Sequence, residues 1–411
     1  MRSFERSWLR FLLRSGAVAL AAALASCSGG TTALPPNPNA VALRAALQTD
    51  VNNFLSARAA ITHISTVALD VNLRGQVPID VSSGTTTYGG STPVTPANLF
   101  QIGSNTKAFT AAAILQLEAA GKLSIHDTVG KWLPQYPEWS SVTIESLLNM
   151  TSGIPGYDNL PAFETAFAQT PDRHWALPEL VAFSQGQPLE PGWLYSNTNY
   201  ILAEMIVEQA GNDDYTNQLY RRFFIPLGLQ DTYYYADSYP ATVVDRLVSG
   251  YFYNAALTPF SAFLGKDIKA DSLSWAQGAG GILASLANVS TWVRALYEGS
   301  MLAPAQRQEL LSIVSDNTGQ PIASTSPADP LGFGLGVGQL TDEQMGKLWY
   351  YQGETLGYRV VYAYFRRPAR SLLWASTASR TRARLAPTMR SSCCCNRSTL
   401  RSRPRIRSRD Q

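Results

Sequence analysis

Ser104 and Lys107 lie three residues apart in the run Phe100-Gln101-Ile102-Gly103-Ser104-Asn105-Thr106-Lys107. If a helix starts there, the spacing puts both side chains on one face. A serine hydroxyl is a poor nucleophile until a neighbouring base takes its proton. A lysine amine is a base only in its neutral form, which burial or a second cation favours. The start of a helix also aims free N–H groups at such a site, where they can hold an oxyanion. The chemistry outlined is acyl transfer through Ser104. The spacing alone also suits an N-capping serine followed by a solvated lysine.

The elements around this pair can be read from patterning. Residues 41–59 carry apolar side chains at Val41, Leu43, Leu47, Val51, Phe54 and Leu55, close to a helical stripe. Residues 61–73 alternate and are β-branched, as a strand would be, and short strands and turns follow to Ile102. Residues 104–120 form an Ala-rich helical run stopped by Gly121. Helices and loops continue to about Leu286. β character returns near Leu331, and residues 348–365 read as two strands joined at residues 353–357. Strands at both ends and helices between them predict one α/β lobe built from both ends, with a helical lobe inserted.

Composition excludes several other chemistries. The chain has 411 residues, 45% hydrophobic and 15% charged, as a globular enzyme does. Its four cysteines are Cys27, Cys393, Cys394 and Cys395, so no thiol catalysis, disulfide or zinc-thiolate site is expected in the body. His63, His126 and His174 stand far apart in no ligand spacing, and each suits a surface or turn role. No Gly-x-Ser-x-Gly elbow and no glycine-rich phosphate loop is present. No metal or cofactor is expected. The formal net charge of +3 comes from the ends: residues 366–411 hold 13 Arg and one acid, and residues 1–27 hold four Arg and one Glu. The remainder is acidic, with 16 basic and 28 acidic residues, which does not favour nucleic acid.

The ends carry readings of their own. Arg2, Arg6, Arg10 and Arg14 precede a short apolar run that is too short to span a bilayer and matches an export signal. It ends Leu24-Ala25-Ser26-Cys27, which resembles the lipobox of bacterial lipoproteins. The expectation is a signal in residues 1–27, lipidation at Cys27, a proline-containing tether over residues 28–40, and a membrane-anchored, periplasmic and outer-membrane location; a plain secretory signal is the alternative. The catalytic body is expected over residues 41–365. Residues 366–411, with no Lys and no Gly, read as an aberrant, out-of-frame tail that forms no core strand. A basic tail that binds anionic envelope polymers is the alternative.

Several segments in order resemble the family of class C β-lactamases, D-Ala-D-Ala carboxypeptidases and related esterases. Residues 100–134, FQIGSNTKAFTAAAILQLEAAGKLSIHDTVGKWLP, are similar to its nucleophile helix and the turn after it. Residues 143–157, TIESLLNMTSGIPGY, and 191–211, PGWLYSNTNYILAEMIVEQAG, are similar to its next loop and its Tyr-x-Asn segment. Residues 278–299 and 332–338 are similar to later segments. The resemblance implies a β-lactamase/penicillin-binding-protein-like α/β (α+β) fold, an antiparallel sheet flanked by helices with an inserted helical lobe. It implies Ser104 as the acylated nucleophile, Lys107 as proton acceptor, Tyr195 as proton relay, and Asn197 orienting Lys107 and substrate. The third family element, Lys-Thr-Gly or His-x-Gly, is matched here by Tyr351-Gln352-Gly353. Gly353 would allow close backbone approach, and the amides of Ser104 and Glu354 would form the oxyanion hole. The missing cation weakens the β-lactamase and carboxypeptidase readings and raises an esterase or an untypical peptidase. Arg359 could replace part of that charge, and Asn149 is a second departure, where the family often has His. The resulting expectation is a serine hydrolase acting on an ester, a D-Ala-D-Ala-type peptide or a β-lactam. A penicillin-binding-like module that binds peptidoglycan fragments with little turnover is the main alternative, and a non-enzymatic envelope lipoprotein the other.

Overall fold

Alternating side chains from the two ends of the chain build one sheet. The computed structural model describes residues 38–253, 258–366, 369–376, 378 and 379. The signal residues with Cys27, and the tail from Arg380, lie outside the described residues. Helix α1 (Pro38–Thr62) leads into β1 (Thr66–Leu73) and β2 (Ile79–Gly84). The remaining strands come late: β3 (Ile313–Ser315), β4 (Pro321–Ile322), β5 (Leu331–Phe333), β6 (Gly338–Asp342), β7 (Gly346–Glu354), β8 (Arg359–Arg366) and β9 (Ala369–Ser376). They form a nine-stranded sheet in the order β2-β1-β9-β8-β7-β6-β5-β3-β4. Every neighbouring pair is antiparallel.

The period of 2 in β1 divides its side chains between two cores. Val67, Leu69 and Val71 meet the α1 stripe of Leu43, Leu47, Val51 and Phe54 on one face. Ala68 turns to the other face, which holds the main core. There α2 (Thr106–Ala119) is buried from Thr106 to Leu115, as a helix apolar all round must be. Its Phe109 ring stacks on Trp292 of the helix Leu286–Tyr297, with centroids 3.6 Å apart. α3 (Asn197–Gly211) packs against α2 from the inserted helical lobe.

Three boundaries differ from the sequence reading. α1 begins at Pro38, inside the expected tether, and runs to Thr62, so the strand starts at Thr66 and not at Ile61. Gly353 lies inside β7, and the hairpin turns at residues 355–358. The sheet also continues past Phe365: β9 occupies a central place, pairing Val360 with Ala375 and Val67 with Ser376. Arginine counted over the whole tail hides the short apolar stretch Leu372-Leu373-Trp374-Ala375, whose backbone fits the slot between β1 and β8.

Four carboxyls within this framework set a pH dependence. Burial, with Asp80 nearby, pushes Asp70 up to about 7. Burial, with Asp172 and Asp267, does the same to Asp271. Burial and a shared hydrogen bond with Glu118 lift Glu309 to about 7. Burial lifts Glu204 to about 8. The folded chain holds these protons where the unfolded chain has lost them, so the stability these groups contribute is full below about pH 4 and is lost as pH rises toward 8. The apparent Tm at pH 8.5 is expected to lie roughly 5–10 °C below that at pH 5. Differential scanning calorimetry across this window checks it, with Asp70→Asn shrinking the fall. A flat Tm would show that these groups titrate as in the unfolded chain.

Candidate active site

The nucleophile turn is a single 3-10 turn, Gly103–Asn105, set just before α2. Gly103 has φ +51°, and a Cβ there would lie 2.7 Å from the Glu354 amide nitrogen. Only glycine allows both the left-handed backbone and that approach. Asn105 Nδ2 donates to Ile102 O at 2.9 Å and to Val360 O at 3.0 Å, which ties the turn to β8. Lys107 follows in the first turn of α2 and is fully buried.

Lys107 Nζ has three partners: Ser104 Oγ at 3.1 Å, Asn197 Oδ1 at 2.6 Å and the Ala279 carbonyl at 2.7 Å. The last two are acceptors only. With two of its N–H directions taken by these acceptors, the third points at Ser104 Oγ. Tyr195 reaches the same oxygen from the segment before α3, its hydroxyl donating to Ser104 Oγ at 2.7 Å. Tyr351 OH in turn donates to Tyr195 OH at 3.4 Å. Burial, reinforced by the Tyr195 beside it, holds Tyr351 well above the ordinary tyrosine range, so it remains a donor. A hydrogen-bonded line therefore runs Tyr351, Tyr195, Ser104, Lys107.

The far wall is β7. A Cβ on Gly353 would fall 1.8 Å from Ile102 O and 2.7 Å from the Ser104 amide nitrogen, so the strand meets the nucleophile turn backbone to backbone. The amide nitrogens of Ser104 and Glu354 thus lie beside the same backbone contact. β6 pairs with β7 only as far as Tyr350, so β7 residues 351–354 run past the end of β6. Beside them Phe333 packs on Tyr351, with centroids 5.4 Å apart, and on Trp193 at 5.8 Å.

The structure thus brings Ser104, Lys107, Tyr195, Asn197, Tyr351, Gly353 and the backbone of Glu354 together. It does not bring the Arg359 charge to them. The Arg359 guanidinium is 3.2 Å from Glu354 Oε1 and donates to Gln352 Oε1 at 2.6 Å. Those residues alternate with Tyr351 and Gly353, so Arg359 serves the opposite face of β7. Asn149 caps its own loop, its Oδ1 accepting from the Thr151 hydroxyl at 2.6 Å. The histidines stay apart: His126 is 3.5 Å from Glu145 and His174 is 3.1 Å from Asp237. Sequence reasoning missed the Ala279 carbonyl, for which the only signal is the small-residue run Gln277-Gly278-Ala279-Gly280-Gly281.

Comparisons with known proteins bear on the fold and the family. Penicillin-binding protein 4* of Bacillus subtilis (strain 168) is 29% identical over 245 residues, covering 56% of this chain and 52% of that protein. A second B. subtilis protein, the putative penicillin-binding protein PbpX, is 30% identical over 228 residues, covering 54% of this chain and 52% of the relative. The chain spans about half the length of these curated relatives. Among solved structures, the D-stereospecific amidohydrolase from Streptomyces sp. matches with a TM-score of 0.69 and 25% identity, over 80% of this chain and 94% of that one. The D-amino acid amidase from Ochrobactrum anthropi SV3 shares the fold with a TM-score of 0.68 and 23% identity, over 81% of this chain and 90% of that one. With the Beta-lactamase family model matching residues 51–386, the chain belongs to the beta-lactamase family.

Proposed function

We propose that the chain hydrolyses an uncharged ester or amide through an acyl-serine intermediate. The convergence of Lys107 Nζ and Tyr195 OH on Ser104 Oγ, at 3.1 and 2.7 Å, carries this reading. Ser104 Oγ attacks the substrate carbonyl as its proton passes to Lys107 Nζ. The oxyanion forms against the amides of Ser104 and Glu354. The bond to the leaving group then breaks, and the proton returns from Lys107 through Tyr195 to that group. Water attacks the acyl ester, gives its proton to the same pair, and frees Ser104. β7 runs past the end of β6 beside Ser104, which suits a substrate amide that meets backbone. The wall of Tyr351, Phe333 and Trp193 offers no charge to a substrate carboxylate. The D-stereospecific amidohydrolase, similar across most of the chain, supports an amide bearing a D-residue.

A substrate panel tests the proposal: p-nitrophenyl esters, D-amino acid amides, a D-Ala-D-Ala peptide and a chromogenic cephalosporin. Neutral esters and amides should turn over faster than the two carboxylate-bearing substrates. Failure of every member and of a fluorescent penicillin to acylate Ser104 would end the reading. A second reading, a penicillin-binding-like module with little turnover, rests on Tyr351 in the place of the family's cation. It is distinguished by an acyl adduct that forms but does not hydrolyse. Export and lipid anchoring through Cys27 complete the proposal. They rest on the sequence alone; among the described residues no helix is long and apolar enough to cross a membrane.

Tyr351→Lys bears directly on selectivity. A cation at this buried position beside Tyr195 would hold a substrate carboxylate and favour neutral Lys107. A charge-assisted contact contributes about 1.5–3 kcal/mol, so acylation by a cephalosporin should rise roughly 10- to 100-fold. No gain in a folded variant would count against the aromatic wall as the cause of selectivity.

A further inference from the structure

Behind the base lysine lies a buried acid that the chemistry above does not use. Glu204 of α3 is 1% exposed. Its Oε1 accepts from Tyr234 OH at 2.7 Å and its Oε2 from the Gly278 amide at 2.6 Å. Tyr157, Tyr215 and Tyr234 face the carboxyl, and Glu208 stands one turn along the same helix. Gly278 belongs to the short turn Gln277–Gly280. A Cβ on Gly278 would lie 2.8 Å from Glu204 Oε2, so the carboxyl is pressed onto that backbone.

The turn is strained and held from several sides. Gln277 has φ +34°, a costly conformation for a residue with a side chain. Its Nε2 donates to Trp175 O at 2.6 Å. The Gly278 carbonyl accepts from Thr110 Oγ1 of α2 at 2.7 Å. The next carbonyl, of Ala279, is the one that receives Lys107 Nζ at 2.7 Å.

We propose that Glu204 is a positioning residue for the base: by holding the Gly278 amide it fixes the Ala279 carbonyl, which takes one N–H of Lys107 and leaves the amine's third direction on Ser104. This rests on the acyl-serine reading. Burial pushes the carboxyl up to about 8, so it is uncharged at neutral pH.

Steady-state hydrolysis of a p-nitrophenyl ester by the full chain at pH 7 tests this, for wild type, Glu204→Gln and Glu204→Leu. Leucine cannot accept from Gly278. A displacement of about 1 Å at a reacting group costs on the order of 10²-fold, so Glu204→Leu should lose roughly that in kcat while KM stays within about threefold. Glutamine still accepts from Gly278 and can donate to Tyr234, and should keep kcat within about threefold of wild type at pH 7. Equal losses in Gln and Leu, or a folded Leu variant with wild-type kcat, would each overturn the proposal. Should the Leu variant not fold, the comparison of wild type with Gln decides. A wild type that is never acylated overturns the acyl-serine reading and this proposal with it. A wild type that turns over beside any of the failures above overturns the proposal alone.

Discussion

Ser104→Ala should leave a folded protein that takes no covalent label from fluorescent penicillin and turns over the panel at least ~10⁴-fold more slowly. The hydroxyl is the point at which Lys107, at 3.1 Å, and Tyr195, at 2.7 Å, meet. Among the described residues no other serine has such a pair. Stability should change little. Lys107 keeps Asn197 and the Ala279 carbonyl as partners, and one lost hydrogen bond is worth about 1 kcal/mol net. Intact-mass spectrometry after mixing with an activated ester reads the outcome directly. An acyl adduct of undiminished yield in the variant would place the nucleophile elsewhere and remove the mechanism.

Lys107→Ala should lower kcat by roughly 10³- to 10⁴-fold, the range of a lost general base. Nothing else described contacts Ser104 Oγ with basic character, since the Tyr195 phenol donates to it. The variant also leaves Asn197 Oδ1 and the Ala279 carbonyl without the amine in a fully buried place. Each stranded acceptor costs about 1–3 kcal/mol unless water enters, so the Tm should fall while the fold persists. Circular dichroism separates that loss from the kinetic one. Groups acting in one step are not additive, so the double variant with Ser104→Ala should be no slower than Ser104→Ala alone. A folded Lys107→Ala enzyme within tenfold of wild type would show that another group takes the proton.

Much of the fold was legible because its signals are local. Alternation in β1, the stripe of α1 and the all-round apolar character of α2 are patterns a short window carries. Gly121, with φ +67°, stops α2 where the run ends. The pairing of Ser104 with Lys107 is likewise a matter of helical spacing. Tyr195 lies in the segment similar to the family's Tyr-x-Asn element, and the structure places its hydroxyl on Ser104. β9 was missed because composition pooled over 46 residues outweighed its eight-residue strand pattern.

What chain order does not encode locally, the tertiary structure decided. Gly353 reads as turn punctuation, yet it sits inside a strand, since its missing Cβ is needed for Ile102 O to approach. Arg359 stood near enough in sequence to supply the missing cation. The two-residue period of its strand turns it instead to Glu354 and Gln352. The Ala279 carbonyl has no side-chain signature at all, and it meets Lys107 from 172 residues away. Glu204 has no sequence signal of its own. Only the packing of α3 against the Gln277–Gly280 turn makes it a buried acid behind the base. The sequence alone determined which groups could do acyl transfer. Which partner each group meets depended on contacts between distant segments, because hydrogen-bond direction and strand face are set by neighbours that no local pattern names.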